Sequence, residues 1–386
     1  MVKIVAKMIP NFTKNRLWET EILVCFDGVL RYALLFFALL MASTTGWSQE
    51  RPKLAIGFNY YPGFLVAHRE DSKNLEAHTH GFELQISKQQ SVQPWAKHYS
   101  KPEIYMGLLY MNLGNPDLTG NAFAAMPGFE TSLKSFKHSE IRIRFSTGLA
   151  YLTKKFDIYT NRRNQAIGSH LNGVMQGFAT WETRQENNPW HLQVGIGLTH
   201  FSNGSYRVPN LGVNMPSLYF GGNYLIEQKP SRNPIIDTLD HKNWQVYATY
   251  GFKERSLTKT TGFNIWNVGV TRIKQVSLKR SWRFGTDIYI DKTHHFIDYP
   301  DEPLTGLKIP EMTEFGLYVG HQLLISRVYF VTDIGFYPYK PSANKFITYQ
   351  RLGFYYHFNQ HGYILAALKT HFGIADHFTW GFGYRI

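Results

Sequence analysis

Residues 378–386 read Phe-Thr-Trp-Gly-Phe-Gly-Tyr-Arg-Ile and close the chain. Phe378, Trp380, Phe382, Tyr384 and Ile386 share one parity, while Thr379, Gly381, Gly383 and Arg385 share the other. Successive side chains of a β-strand point to opposite faces, so this is a strand with one aromatic face and one polar or glycine face. A terminal strand of that kind suits an outer-membrane barrel, whose outside meets lipid and whose inside meets water. The aromatic residue expected at the last position of such a strand is here Ile386.

The same parity runs back through the sequence. At 141–151, Ile141, Ile143, Phe145, Leu149 and Tyr151 oppose Arg142, Arg144, Ser146 and Gly148. At 282–290, Trp282, Phe284, Ile288 and Ile290 oppose Arg283, Gly285, Asp287 and Tyr289, and at 315–323, Phe315, Leu317, Val319 and Leu323 oppose Gly316, Tyr318, Gly320 and Gln322. Turn signals separate the runs: Asn115-Pro116-Asp117, Asn187-Asn188-Pro189, Lys229-Pro230-Ser231 and Tyr299-Pro300-Asp301. There are about fourteen such runs of roughly ten residues, the length a tilted strand needs to cross a bilayer. The pattern predicts an all-β chain, an antiparallel transmembrane β-barrel of about 12–16 strands. A soluble β-sandwich also alternates, but its outer face is polar, whereas aromatic faces recur here on nearly every strand. No internal repeat of fixed period stands out.

Composition agrees. The 386 residues are 16% aromatic and 18% charged, with 32 Gly, 24 Tyr and 28 Phe, which excludes a disordered chain. No apolar run approaches the roughly 18 residues of a helical span. The longest, YALLFFALLM from Tyr32 to Met41, has the length of a signal-peptide core; Arg31 precedes it, and Gly46-Trp47-Ser48 offers small residues for cleavage before Gln49. The expected organisation is a leader with signal peptide at 1–48 and an outer-membrane barrel at 49–386. The net charge of +13 falls only to +11 without the leader. For an exported chain, anionic lipid head groups are the counter-charge to expect, and no nucleic acid. The single cysteine, Cys25, lies in the leader, so the mature chain has neither disulfides nor thiol chemistry.

One segment departs from pure architecture: residues 193–214, QVGIGLTHFSNGSYRVPNLGVN. Val194, Ile196, Leu198, His200 and Ser202 share a parity, so His200 and Ser202 continue the lipid-facing row. The i, i+2 spacing lets an imidazole serve as base for a hydroxyl on the same side of one strand. A polar pair on the lipid side suggests a substrate that is itself a lipid. Asn203, the backbone at Gly204, and Asn210 are nearby donors for the oxyanion of an attacked ester. The plain alternative is an interfacial His and Ser at a strand end.

The run His200-Phe201-Ser202-Asn203-Gly204, followed by Pro209-Asn210 and Gly212, resembles the H-x-S-N…P-N-x-G segment of outer-membrane lipid A 3-O-deacylases, the acyloxyacyl-hydrolase-like barrel enzymes. The resemblance implies Ser202 as nucleophile, His200 as its base, and Asn203 and Asn210 at the oxyanion. It also implies an eight-stranded barrel acting from its outer wall on lipopolysaccharide, with no metal or other cofactor. The family's triad acid, a Glu, falls at Asn214, whose amide can fix the imidazole tautomer but adds no charge. The motif covers about twenty residues, and the resemblance is extended to the region 140–230. The 338 residues after the leader are about twice what eight strands need at roughly twenty residues per strand and turn.

Other polar groups carry less. His78 and His80 with Glu83 have a conceivable metal spacing, though a polar strand face is the commoner meaning. His294-His295 and Ser169-His170 are sequence neighbours, which point to opposite faces of a strand. Tyr206 and Arg207 could meet a lipid A phosphate. The function expected is a lipid A deacylase-like serine esterase in the outer membrane, with lipid A and membrane lipids as partners. The alternative is a non-catalytic barrel, a porin or structural protein, and the two differ in their interiors: a wide, water-lined bore for the pore, a filled one with Ser202 outward for the esterase.

Overall fold

Arg142 and Arg144, the inward parity of the 141–151 run, are almost fully buried, while Ile141 and Ile143 between them lie open on the outside. That alternation recurs on most strands of the computed structural model, which describes residues 54–67, 70–90, 94–184, 188–226, 243–255, 262–293, 306–341 and 346–386. The leader, the turn signals at 229–231 and 299–301, and His294-His295 fall outside the described residues.

The first eight strands are β1 (Leu54–Leu65), β2 (Ala77–Gln89), β3 (Glu103–Asn112), β4 (Asn121–Ser135), β5 (Ser139–Leu152), β6 (Leu171–Thr183), β7 (Trp190–Ser202) and β8 (Val213–Ile226). They close on themselves: β1 pairs with β8, Leu54 opposite Ile226 and Phe58 opposite Gly222. The next eight are β9 (Trp244–Glu254), β10 (Gly262–Ser277), β11 (Arg280–Asp291), β12 (Thr313–Ile325), β13 (Val328–Tyr339), β14 (Thr348–His357), β15 (Gly362–His371) and β16 (Ile374–Arg385). They close likewise, with Thr379 opposite Gly251 and Arg385 opposite Gln245. Among the described residues the strands number sixteen, the top of the range expected, but they form two rings of eight in place of one larger ring. Length and alternation are the same in either case. Closure depends on which strand pairs with which across the sequence, and no local pattern carries that.

The lumens show why eight strands suffice. A ring of this size is just wide enough for side chains to fill it. In the first, Arg142 forms ion pairs with Glu103, Glu130, Glu140 and Glu182 at 2.7–3.1 Å. Two residues further along the strand, Arg144 meets Glu83 at 2.8 Å and donates to the Tyr105 and Tyr219 hydroxyls. In the second, Arg283 pairs with Asp333, and Arg351 bridges Asp287 and Asp333, with Tyr247 and Tyr349 donating to Asp287. Buried charge is tolerated only when paired and hydrogen-bonded, and here it is both. These are filled interiors, unlike the water-lined bore of a porin. His78 and His80 face outward while Glu83 faces in, so the three cannot share a metal.

Outside, Trp181, Trp190, Tyr224, Trp244, Trp282 and Tyr384 stand exposed near the strand ends that carry the shorter turns, an aromatic girdle at one membrane interface. The rings lie side by side and touch at three levels. At the short-turn end Tyr99 donates to the Leu324 carbonyl and Lys279 to that of His98. Midway, Phe145 packs on Phe330 and Phe354. At the opposite end, the β7–β8 loop meets β9, β15 and β16.

Candidate active site on the outer wall of the first ring

The apolar interior of the first ring holds the end of β7 in place. Phe201 points inward among Val174, Phe178, Val213 and Met215, all buried. Burial of Phe201 forces its neighbours His200 and Ser202 outward, where both are half-buried on the wall. The parity argument from sequence is therefore what the structure contains.

His200 stands opposite Asn214 across the β7–β8 pair, and its Nδ1 lies 2.7 Å from Asn214 Oδ1. The amide oxygen can only accept, so Nδ1 carries the proton and Nε2 is left as the basic nitrogen. Asn214 is itself anchored, since its carbonyl accepts from Val66 N at 2.9 Å beside the end of β1. Gly212, at φ +70°, lies against the imidazole.

The Ser202 hydroxyl is held by the loop that follows. Asn210 Nδ2 donates to Oγ at 3.0 Å and Gly204 N donates to it at 3.2 Å. Asn210 Oδ1 also accepts from Asn203 N at 3.1 Å, tying the loop's two ends together. Gly204 is at φ +63° and Ser205 at +67°, and this left-handed pair turns the backbone so that the Gly204 amide aims back at Ser202.

Not every expected residue converges on the hydroxyl. The Asn203 side chain is buried and turned away, its Nδ2 donating to Ser169 Oγ and the Arg207 carbonyl at 3.0 Å each. It staples the loop, and only its backbone faces Asn210. Arg207 extends to Glu254 of the second ring at 2.8 Å, and Tyr206 packs on Phe252. Ser169, given little weight in the sequence as a neighbour of His170, is part of the scaffold through its contact with Asn203. His170 bonds the Leu152 carbonyl and stacks on Tyr151. The sequence reading gave no structural role to Gly212, the imidazole's packing surface, or to Ser169, and it missed Glu254. Gly212 was visible as part of the motif; Glu254 is 52 residues beyond Ser202 and carries no local signal.

The tripeptide Thr-His-Phe at the end of β7, Thr199 to Phe201, recurs at the end of β15 as Thr370-His371-Phe372. There the next residue is Gly373, and a register shift at Lys369/Thr370 accompanies a buried His371 bonded to the Tyr337 hydroxyl. The second ring thus carries the echo of the motif without its serine.

Residues 80–223 match the family described as lipid A 3-O-deacylase (PagL). Residues 242–386 match the acyloxyacyl hydrolase C-terminal domain. Both extend the likeness well beyond the 140–230 region suggested by the motif. No curated protein sequence matches the chain. Among solved structures, a crystal structure of the outer membrane enzyme PagL shares 18% identity, with 43% of this chain and 97% of that one covered at a TM-score of 0.31. The siderophore receptor PirA from Acinetobacter baumannii shares 10% identity over 84% of this chain and 44% of its own, at a TM-score of 0.21. The translocator domain of the autotransporter NalP from Neisseria meningitidis shares 11% over 93% and 98%, also at 0.21. With one ring matching each of two related family descriptions, the chain belongs to the lipid A 3-O-deacylase family of outer-membrane β-barrel hydrolases.

Proposed function

We propose that the chain is a serine esterase that removes an ester-linked acyl chain from lipid A in the outer membrane, with Ser202 as nucleophile. One observation carries the reading: His200, oriented by Asn214 at 2.7 Å, and a Ser202 hydroxyl cradled by two N–H donors lie together on the lipid-facing wall.

His200 Nε2, next to Ser202 in the same outward row, takes the Ser202 proton, which rests on Asn210 Oδ1 at 3.3 Å before the substrate enters, as Oγ attacks the ester carbonyl. The negative charge that develops on the carbonyl oxygen is met by the Gly204 amide and Asn210 Nδ2, which hold Ser202 Oγ in the resting site and pass to the carbonyl oxygen as it is attacked. Collapse of the tetrahedral intermediate expels the sugar alkoxide, which His200 protonates, and leaves the acyl group on Ser202. Water, deprotonated by His200, then releases the fatty acid and restores the hydroxyl. Asn214 fixes the tautomer throughout but supplies no charge to the imidazolium. Asn203 acts through loop geometry, and Tyr206 and Arg207 sit at the rim with Arg207 already paired. Both rings act as one exported unit, with residues 1–48 as its leader.

The test is mass spectrometry of lipid A from cells producing the native protein, Ser202→Ala or His200→Ala. One acyl chain should be lost with the native protein and retained with both variants. Intact lipid A beside folded native protein in the outer membrane overturns the reading.

A further inference from the structure

The loop that holds Ser202 is anchored to the second ring at more points than its length requires. Glu254, the last residue of β9, is buried, and its carboxylate accepts from Arg207 Nη1 at 2.8 Å and from Val208 N at 3.1 Å. Its own N–H donates to the Ser205 carbonyl at 3.2 Å. Ser205 Oγ donates to the Ala375 carbonyl at the start of β16, at 2.8 Å. Gly204 lies so close to this ring that a Cβ added to it would stand 3.1 Å from Phe378 Cβ and 3.3 Å from Leu368 Cδ1.

These contacts run directly to the reacting group. Val208 is two residues from Asn210, whose amide holds the Ser202 hydroxyl, and the Arg207 carbonyl is fixed by Asn203 Nδ2. Ser205 follows Gly204, whose N–H is the other donor to Ser202. An isolated loop with two successive left-handed residues would sample many conformations, and a misplacement of about 1 Å can cost roughly a hundredfold in rate. Asn203 and Ser202 hold 204–208 from the first ring, and Glu254 and Ala375 hold it from the second. The carboxylate of the pair is buried although the Arg207 side chain is 44% exposed, and a buried carboxylate without its partners is costly.

We propose that the second ring completes the catalytic site of the first: Glu254 is a positioning residue that, with the Ser205–Ala375 contact, locks the Gly204 and Asn210 donors around Ser202. This rests on the esterase reading above, and it gives the second ring, in which Gly373 follows Thr370-His371-Phe372, a role in the chemistry of its neighbour.

The full-length protein is purified in detergent and assayed in two ways: kcat and KM on lipid A, and the rate at which a fluorophosphonate labels Ser202. Folding is checked by the heat-dependent shift in gel mobility. Glu254→Ala should lower kcat and the labelling rate by about tenfold to a hundredfold with little change in KM. Glu254→Gln, which keeps an acceptor for Val208 N, should recover most of the loss. Ser205→Ala buries no unpaired charge and should lower both rates by a few-fold, so it tests the idea even if Glu254→Ala does not fold. Folded variants with native kcat and labelling rates, or with a change in KM alone, overturn the proposal. If the native protein labels at Ser202 but leaves lipid A intact, the substrate reading fails, and the labelling rates of the variants still decide the role of Glu254.

Discussion

Gly212 lies beneath the His200 imidazole: a Cβ on it would stand 2.9 Å from Cε1 and 3.5 Å from Nε2. At φ +70° the position also disfavours any L side chain. Gly212→Ala should therefore push the ring off its bond to Asn214 and lower kcat by about a hundredfold or more. Steady-state kinetics beside gel mobility checks this, and a folded Gly212→Ala enzyme with native kcat would contradict the geometry.

In the mechanism proposed, Asn214 orients the base without stabilising it. Asn214→Asp keeps the acceptor 2.7 Å from Nδ1 and adds a negative charge beside the forming imidazolium. It should raise kcat, by roughly tenfold to a hundredfold given the size of effects seen when a triad loses its carboxylate. Asn214→Leu, which can accept nothing, should lower it. Equal rates in the three proteins would mean that His200 is not the base.

Asn210 has a narrower duty than Ser202. Removing one oxyanion donor typically costs about 10²–10³ in kcat, so Asn210→Ala should fall in that range while still binding lipid A. Comparing kcat with lipid A affinity separates the outcomes, and a loss of affinity with unchanged kcat would assign Asn210 to substrate binding.

The lumen pairs govern stability. Glu83 and Arg144 are 0% and 1% exposed and 2.8 Å apart. Glu83→Ala strands the guanidinium and should destabilise the first ring by about 3–5 kcal/mol, whereas Glu83→Leu combined with Arg144→Met should cost much less. Urea unfolding in detergent micelles gives both values.

Filled lumens also exclude conduction. Liposomes carrying the protein should show no sugar-driven swelling, in contrast to porin controls.

Much of this architecture was legible in single strands. The alternation at 141–151 correctly turned Arg142 and Arg144 inward, and that at 193–202 correctly turned His200 and Ser202 outward, because a two-residue period is a local property. The His200–Asn214 pairing was implied by the family resemblance alone, and the β7–β8 register sets the two residues opposite each other. What stayed hidden depends on distant contacts. Division into two rings is decided by β1 meeting β8 and β9 meeting β16, and the turning-in of Asn203 by Ser169 on another loop. The Thr-His-Phe echo was present in the sequence but too short, at three residues, to register as a repeat.

Each ring is sewn from an unbroken stretch of chain, 54–226 and 244–385, with its last strand returning to its own first. No strand of either ring has to wait for one from the other. Assembly in the membrane can then proceed as two successive closures of modest sequence separation, and the exposed strand edges that invite aggregation are those of eight strands at a time, never of sixteen. On this view the enzyme matures late: the first ring can be shut and seated in lipid while its serine still lacks the neighbour that sets it.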